Sequence, residues 1–116
     1  MSFAGLMFHI ASSQAFRFAQ VAGVPSPLKL PEKLEKAEVK AAARKALETS
    51  FDFCIEWVGK FTPEQLSRAH RVDWYERPEV NGRELLLGMF THTAHHRGQA
   101  EVYLRVKGIK PPPYRF

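Results

Sequence analysis

The stretch NGRELLLGMFTHTAHHRGQAEVYLRVK, residues 81–107, decides the fold, because it carries the start, the apolar stripe and the end of one long helix. Asn81 can cap the first exposed amides, and Glu84 occupies the capping-box position three residues later. Gly108 follows as a C-cap, and the prolines at 111–113 prevent any continuation. The predicted inward stripe comprises Leu85, Met89, His92, His96, Gln99 and Tyr103.

Two histidines of this helix are placed to share one ligand. His92 and His96 are four residues apart, so they project from the same face about 6 Å from each other. Polar rings on an otherwise apolar stripe must be hydrogen-bonded or must ligate a metal. Such pairs also arise by chance on helix surfaces, and on this pair alone a purely structural role is slightly favoured.

A second amphipathic helix, predicted over residues 3–21, adds a third histidine. His9 lies on or beside its apolar stripe, and Gly23 and two prolines end the helix. If this helix packs antiparallel to residues 81–107, His9 meets His92 and His96 near mid-bundle, where bundle proteins build metal sites. Three protein ligands leave a coordination position open for water or substrate. The stripe itself is Leu6, Ile10, Ser13 and Phe16.

The remaining histidines and the single cysteine have simpler interpretations. His95 turns roughly 100° away from His96 on the helix and is expected at the surface. His70 is expected in a loop rather than as a ligand. Cys54 falls on a buried stripe, so it is interpreted as a packed thiol rather than a nucleophile.

Between these segments we predict a long second helix, a short helical turn and a crossover. The second helix is predicted over residues 32–60, and the pair Glu32 and Lys36 is spaced to interact across one turn. The sequence from Thr62 to Gln65 forms a capping box with proline at the first helical position. Residues 70–80 show no clear period and predict an irregular crossover. The stripe of the second helix is Val39, Ala43, Ala46, Ser50, Cys54, Trp57 and Phe61.

Composition is consistent with one globular domain spanning residues 1–116, located in the cytoplasm. One cysteine in 116 residues excludes an internal disulfide. No apolar run is long enough to cross a bilayer, and the N-terminus lacks the pattern of a signal peptide. The net charge of +5 is compatible with binding to nucleic acid, whose phosphates attract a positive surface. The basic residues are spread, however, and no nucleic-acid motif is present, so nucleic acid and membrane are not expected partners.

The stretch from Thr91 to Gln99, THTAHHRGQ, resembles the HxxxHRGQ signature of the DinB/YfiT-like family. The match continues through residues 103–105, Gly108 and residues 111–114. A weaker similarity covers Leu6 to Ala11. The resemblance spans most of the chain, although the middle helix matches only in length and pattern.

This resemblance implies an all-α, DinB-like up-down bundle that holds a divalent metal, usually nickel or zinc, through His9, His92 and His96. The wider superfamily includes thiol S-transferases, mycothiol-dependent maleylpyruvate isomerase and metal-dependent hydrolases. The family normally has a complete helix before the first histidine helix, whereas this chain has three main helices. We therefore expect an N-terminally truncated domain, with a homodimer covering the apolar first helix.

The other residues of the signature carry separate expectations. Arg97 is expected to pair with Glu101, and Gly98 to allow close helix packing. Gln99 either contacts substrate or a metal ligand, or hydrogen-bonds within the bundle. Trp57 and Tyr103 are expected in the core.

Two functions compete at this point. The first is a metal-dependent enzyme of the thiol S-transferase or hydrolase type, acting on a small molecule such as a low-molecular-weight thiol. No residue stands out as its general base. The alternative is a non-catalytic, metal-stabilised, stress-related binding module. The candidate bases, close only along the chain, are Glu84, Glu101, Asp73 and Glu76.

Overall fold

Three long helices and one short helix make up most of the computed structural model, which describes residues 1–30, 33, 35–72 and 77–113. The elements are α1 (Phe3–Ala22), α2 (Val39–Val58), α3 (Pro63–Ser67), β1 (Ala69–Arg71), β2 (Glu79–Asn81) and α4 (Gly82–Val106). This arrangement confirms the all-α prediction, with one small hairpin added. Among the described residues, no helix combines the length and apolar character needed to cross a bilayer.

Helix α1 lies between the other two long helices and packs against both. At one end Phe3 and Val39 line the same groove, and at the other the rings of Phe18 and Phe61 lie 5.9 Å apart. The helices α1 and α2 therefore run parallel. Phe3 also meets Tyr103 near the end of α4, with ring centroids 5.8 Å apart. Helix α4 is therefore antiparallel to α1, the orientation needed to bring the three histidines together.

The predicted helix ends are confirmed where a local capping signal exists. Asn81 and Glu84 form both hydrogen bonds of the capping box at the start of α4. Thr62 and Gln65 form the same pair at the start of α3. Helix α1 ends at Gly23, whose φ of 75° is a left-handed conformation that glycine adopts without a steric penalty.

The prediction for the second helix was too long at both ends. It begins at Val39 rather than near residue 32, and the expected Glu32–Lys36 pair lies partly outside the described residues. A carboxylate oxygen of Glu38 accepts the amide hydrogen of Glu35 at 3.1 Å, which stabilises a turn before the helix. The helix ends at Val58. Its buried residues are Ala43, Ala46, Ser50 and Cys54, all members of the predicted stripe.

The two ends of the predicted crossover are short strands rather than irregular chain. Strands β1 and β2 pair antiparallel, with His70 opposite Val80. Both of these residues face inward while their strand neighbours are more exposed. Three residues per strand are too few to show a two-residue period in the sequence. The predicted loop histidine, His70, is thus a buried strand residue, while residues 73–76 lie outside the described part.

Buried contacts hold the helices together at two levels of the bundle: polar contacts near its middle and apolar contacts at one end. At mid-bundle Gln14 donates to the Ser50 hydroxyl at 2.8 Å and accepts from Thr93 at 3.3 Å, so one amide joins α1, α2 and α4. The end of the bundle near β1 and β2 closes over a fully apolar cluster of Val21, Val72, Val80 and Leu85. Together these contacts fix the relative heights of α1 and α4.

Several side chains predicted to be inward are not buried. Phe16 is 55% exposed and Tyr103 is 37% exposed, because both lie at the edges of the α1–α4 contact. Trp57 is half-buried. Gly98 does not mediate close helix packing, since a Cβ atom added there meets nothing within 4 Å.

The sequence suggested that the exposed apolar surface lies on α1, but most of it lies on α2 and α4. Most of the apolar face of α1 is covered by α2 and α4 of the same chain, although Phe3 and Phe16 of α1 are exposed. The other large exposed apolar side chains of the long helices lie on the outer sides of α2 and α4. On these two helices they include Phe51, Ile55, Val58, Leu87 and Phe90.

Candidate metal centre

Two antiparallel helices bring the three predicted histidines together. His9 comes from the first half of α1, and His92 and His96 come from successive turns of α4. The Nε2 atom of His9 lies 3.0 Å from that of His92 and 3.1 Å from that of His96. The Nε2 atoms of His92 and His96 are 3.1 Å apart. All three side chains are half-buried.

The three nitrogen atoms form a group that could hold a metal ion. A neutral imidazole carries one hydrogen on its two nitrogens, so three facing Nε2 atoms cannot all be satisfied by hydrogen bonds among themselves. Nitrogens that each lie about 2.1 Å from a shared ion are roughly 3.0–3.4 Å apart, depending on the bond angle. The observed separations fall within this range, so the residues present fit a divalent ion.

Gln99 orients one of these histidines. Its Oε1 atom accepts a hydrogen bond from Nδ1 of His96 at 2.7 Å, which leaves the His96 Nε2 lone pair facing the other two rings. The Gln99 amide nitrogen donates to Nε2 of His95 at 3.0 Å. The contact with His96 agrees with both roles left open for Gln99, because it joins a candidate ligand and is also a hydrogen bond within the bundle.

Burial keeps two of the rings in the form that ligates metals. The pKa of His92 is lowered to about 4 by burial and, secondarily, by the neighbouring histidines His96, His9 and His95. The pKa of His9 is also lowered, by burial and then by His96. Both rings are therefore neutral near pH 7, and neutral imidazole is the form with a lone pair to share.

His92 differs from His96 in its second ring nitrogen. The Nδ1 atom of His92 is buried and has no hydrogen-bond partner among the described residues. A buried polar atom without a partner is costly, so packing rather than a hydrogen bond holds this ring. Of the two candidate ligands on α4, His96 is the one whose second ring nitrogen is hydrogen-bonded.

Two cavities flank the histidines. One, of about 290 Å³, is lined by His9, Ser13, Phe16, Arg17, Met89 and His92. The other, of about 470 Å³, is lined by Met1, Leu6, His96, Gln99, Val102 and Tyr103. A small molecule can therefore approach His9 and His92 from one side and His96 from the other.

Other residues considered from the sequence lie away from this centre. Arg97 pairs with Glu101 at 3.1 Å, as expected. Cys54 is buried, and burial raises the pKa of its thiol to about 12, which agrees with a packed thiol. His70 is on β1. His95 is exposed at the edge of the centre, where it accepts a hydrogen bond from Gln99 and its ring centroid lies 5.1 Å from that of His96.

The two candidate general bases that the structure describes do not line either cavity. Glu84 is engaged in its capping box and in an ion pair with Arg77, and Glu101 pairs with two arginines. Asp73 and Glu76 lie outside the described residues. Sequence reasoning also missed Ser13 and Arg17 as cavity residues, although both follow His9 at helical spacing on α1.

Comparison with known proteins agrees with this architecture. The model of the DinB family matches residues 1–116. A crystal structure of a DinB-like protein, YjoA from Bacillus subtilis, is similar with a TM-score of 0.65 and 27% sequence identity. The similarity covers 98% of this chain and 74% of that one. No curated protein matches the chain.

Proposed function

Because the chain belongs to the DinB family, we propose that it binds divalent nickel or zinc through His9, His92 and His96 and acts as a metal-dependent enzyme. The observation that supports this most strongly is the convergence of three Nε2 atoms within 3.1 Å of one another. Imidazole suits both metals, and availability decides between them in many proteins. Three protein ligands leave room for a substrate.

The surroundings favour thiol chemistry over hydrolysis. A bound ion supplies Lewis acidity, which lowers the pKa of a water or thiol beside it. Hydrolysis usually requires a general base as well, and none of the described cavity-lining residues is a carboxylate. A thiol has an ordinary pKa of only about 8.5, so it ionises near a cation without such a base. The proposed activity is therefore transfer of a low-molecular-weight thiol, with a hydrolase as the second possibility.

A non-catalytic, metal-stabilised binding module remains the competing proposal. It is supported by the position of the ligands, since one lies on α1 and two on α4. An ion held there would cross-link the two helices and stabilise the bundle whether or not it turned over a substrate. Both proposals therefore predict that bound metal stabilises the protein. Only the enzyme proposal predicts that the metal-loaded protein turns over a substrate.

A thiol-transfer assay decides between enzyme and module. The nickel-loaded and zinc-loaded proteins are incubated with cysteine or 2-mercaptoethanol and an electrophile such as 1-chloro-2,4-dinitrobenzene. Absorbance of the product is followed over time. The double variant His92→Ala/His96→Ala is the control. Turnover in the wild type that is lost in the double variant supports the enzyme. Metal-dependent stability without turnover supports the module.

We also propose that a second copy of the chain covers the exposed α2–α4 face. Phe51 of α2 and Phe90 of α4 line one groove, so their exposed apolar surfaces are continuous. Exposed apolar patches of this kind mark protein–protein contacts. Phe90 and Gly98 each lie four residues from Ala94. A twofold axis beside Ala94 would therefore place each exposed Phe90 over the open space at the partner's Gly98.

A further inference from the structure

A separate apolar groove lies on the opposite side of α1 from the three histidines. It runs between the first halves of α1 and α2 and has a volume of about 540 Å³. Met7 lines this groove, whereas His9 faces α4, because residues two apart on a helix point in nearly opposite directions. The groove is therefore distinct from the candidate metal centre. Its apolar lining residues are Phe3, Ala4, Met7, Val39, Ala43 and Leu47.

The size of the groove suits a small molecule rather than a protein segment. Its volume lies within the range of small-molecule sites. Ten described residues line it, whereas each side of a stable protein–protein interface usually contributes about 20–30. Its apolar part on α2 extends from Val39 to Leu47, a rise of about 12 Å along the helix. A short extended chain can therefore lie along it.

Basic side chains flank the apolar surface at one-turn intervals. Lys36, Lys40 and Arg44 recur every four residues, so their like charges lie on one side of α2 and of the turn before it. Arg44 forms an ion pair with Glu48 at 2.8 Å. Glu48 is the one acidic residue among the described residues that line the groove. The pair leaves this end of the groove without net charge.

The two lysines at the other end, where α2 begins, are not compensated in this way. Both Lys36 and Lys40 are exposed, and neither has an ion-pair or hydrogen-bond partner among the described residues. The acidic residue between them, Glu38, does not line the groove, and its carboxylate accepts the amide hydrogen of Glu35. The groove therefore presents two positive charges at one end of an apolar surface, an arrangement complementary to an anion that carries an apolar chain.

We propose that this groove binds a free alkyl carboxylate of medium chain length, with its carboxylate at Lys36 and Lys40 and its chain over the apolar lining residues. The carboxylate offsets the repulsion between the two lysines, and the chain removes exposed apolar surface from water. The flexible Met7 side chain can adapt to an unbranched chain. This site depends neither on a bound metal nor on the proposed enzyme activity.

Methionine methyl resonances can locate the ligand, because each of three cavities contains one methionine. Met7 lines the groove, whereas Met89 and Met1 line the smaller and the larger cavity beside the histidines. Protein labelled at the methionine methyl groups and supplied with zinc is titrated with octanoate and, separately, with octan-1-ol. We expect octanoate to shift Met7 alone and to bind roughly fivefold more tightly than octan-1-ol. From butanoate to octanoate the affinity should rise roughly threefold for each methylene group.

A charge variant tests the position of the carboxylate. Lys36→Gln/Lys40→Gln should remove the preference for octanoate over octan-1-ol and retain the affinity for octan-1-ol. Lys45→Gln is the matched control, because it removes an exposed lysine of the same helix that does not line the groove. This control should keep the preference.

Three results would overturn the proposal: no shift of Met7 on addition of octanoate, equal affinities for octanoate and octan-1-ol, or a preference that survives in Lys36→Gln/Lys40→Gln. Shifts at Met1 or Met89 in place of Met7 would also contradict it, because they place the ligand beside the histidines. A Met7 resonance that changes with protein concentration alone would assign the groove to a second copy of the chain. Loss of the Met7 signal on phosphatidylglycerol vesicles, without a shift on octanoate, would assign it to a membrane surface.

Discussion

At the scale of single residues, the candidate centre depends on side chains that set the chemistry of their neighbours. Gln99 holds His96 through Nδ1, while the second nitrogen of His92 has no partner among the described residues. Such an outer contact fixes the tautomer and orientation of a metal-binding imidazole. His96 is therefore the α4 histidine whose geometry depends on one identifiable hydrogen bond.

Replacing Gln99 by alanine should weaken metal binding by roughly 10–100-fold, because His96 loses the acceptor that orients it. Gln99→Glu, which keeps an acceptor oxygen at the same reach, should retain most of the affinity. Competition with a chromogenic chelator measures both constants. Equal affinities in the wild type and Gln99→Ala would show that packing alone orients His96.

His70 should make the stability of the protein depend on pH. The pKa of His70 is lowered mainly by burial; a hydrogen bond to the Gln65 backbone opposes this shift, and the charge of Arg68 adds a smaller lowering effect. The unfolded chain, with a histidine pKa near 6.5, thus takes up the proton more readily. This contribution to stability is complete above that pH and is lost as the pH falls toward the lower pKa of the folded state.

The measurement is urea unfolding at pH 7.5 and pH 5. His70→Leu carries no titrating group, so its free energy of unfolding should fall less between the two pH values than that of the wild type. An unchanged pH dependence in His70→Leu would contradict the assignment.

At the scale of elements, local signals were predictable from the sequence and contacts between elements were only partly so. The capping boxes at Thr62 and Asn81 involve residues three apart, so the sequence is sufficient to locate them. The hairpin was missed because each strand has only three residues, too few to show the two-residue alternation of a strand. The role of Gly98 was misjudged because an open surface cannot be distinguished from a close contact by residue type alone.

The junction between α3 and α4 offers a sharp test of packing. A Cβ atom at Gly82 would lie 2.5 Å from the backbone oxygen of Gln65 and 3.0 Å from the Cα atom of Leu66. Gly82→Ala should therefore destabilise the protein by about 1–3 kcal/mol, since backbone must move. Gly59→Ala is the control, because its added atom meets nothing within 4 Å. This control should be neutral or stabilising by up to about 1 kcal/mol. Equal denaturation midpoints for Gly82→Ala and Gly59→Ala would contradict the close approach of α3 to Gly82.

At the scale of the whole molecule, the convergence of the three histidines was predicted correctly from the sequence, whereas the position of most of the exposed apolar surface was not. Their convergence required only helical spacing and an antiparallel pair of helices, and both were predictable. Which face of each helix stays exposed depends on where α2 docks, and periodicity does not contain that information. For the same reason Arg17 and Ser13 were not recognised as residues of a cavity beside the histidines.

Self-association through the α2–α4 face follows from the proposed contact between Phe90 and Gly98. Sedimentation velocity at micromolar concentration should show a dimer for the wild type. Phe90→Ala should shift it toward a monomer, because it removes the apolar side chain that the partner covers. Val106→Asp, at an equally exposed apolar position near the end of α4, should leave the dimer intact. A well-folded wild-type monomer at these concentrations would refute the proposal.

The most direct test of the central proposal is elemental analysis of purified protein, comparing the wild type with His96→Ala and with His95→Ala as the matched control. We expect about one nickel or zinc ion per chain in the wild type and in His95→Ala, and loss of the ion in His96→Ala. Absence of bound metal in the wild type, even after reconstitution at neutral pH, would contradict the metal site and the enzyme proposal that depends on it.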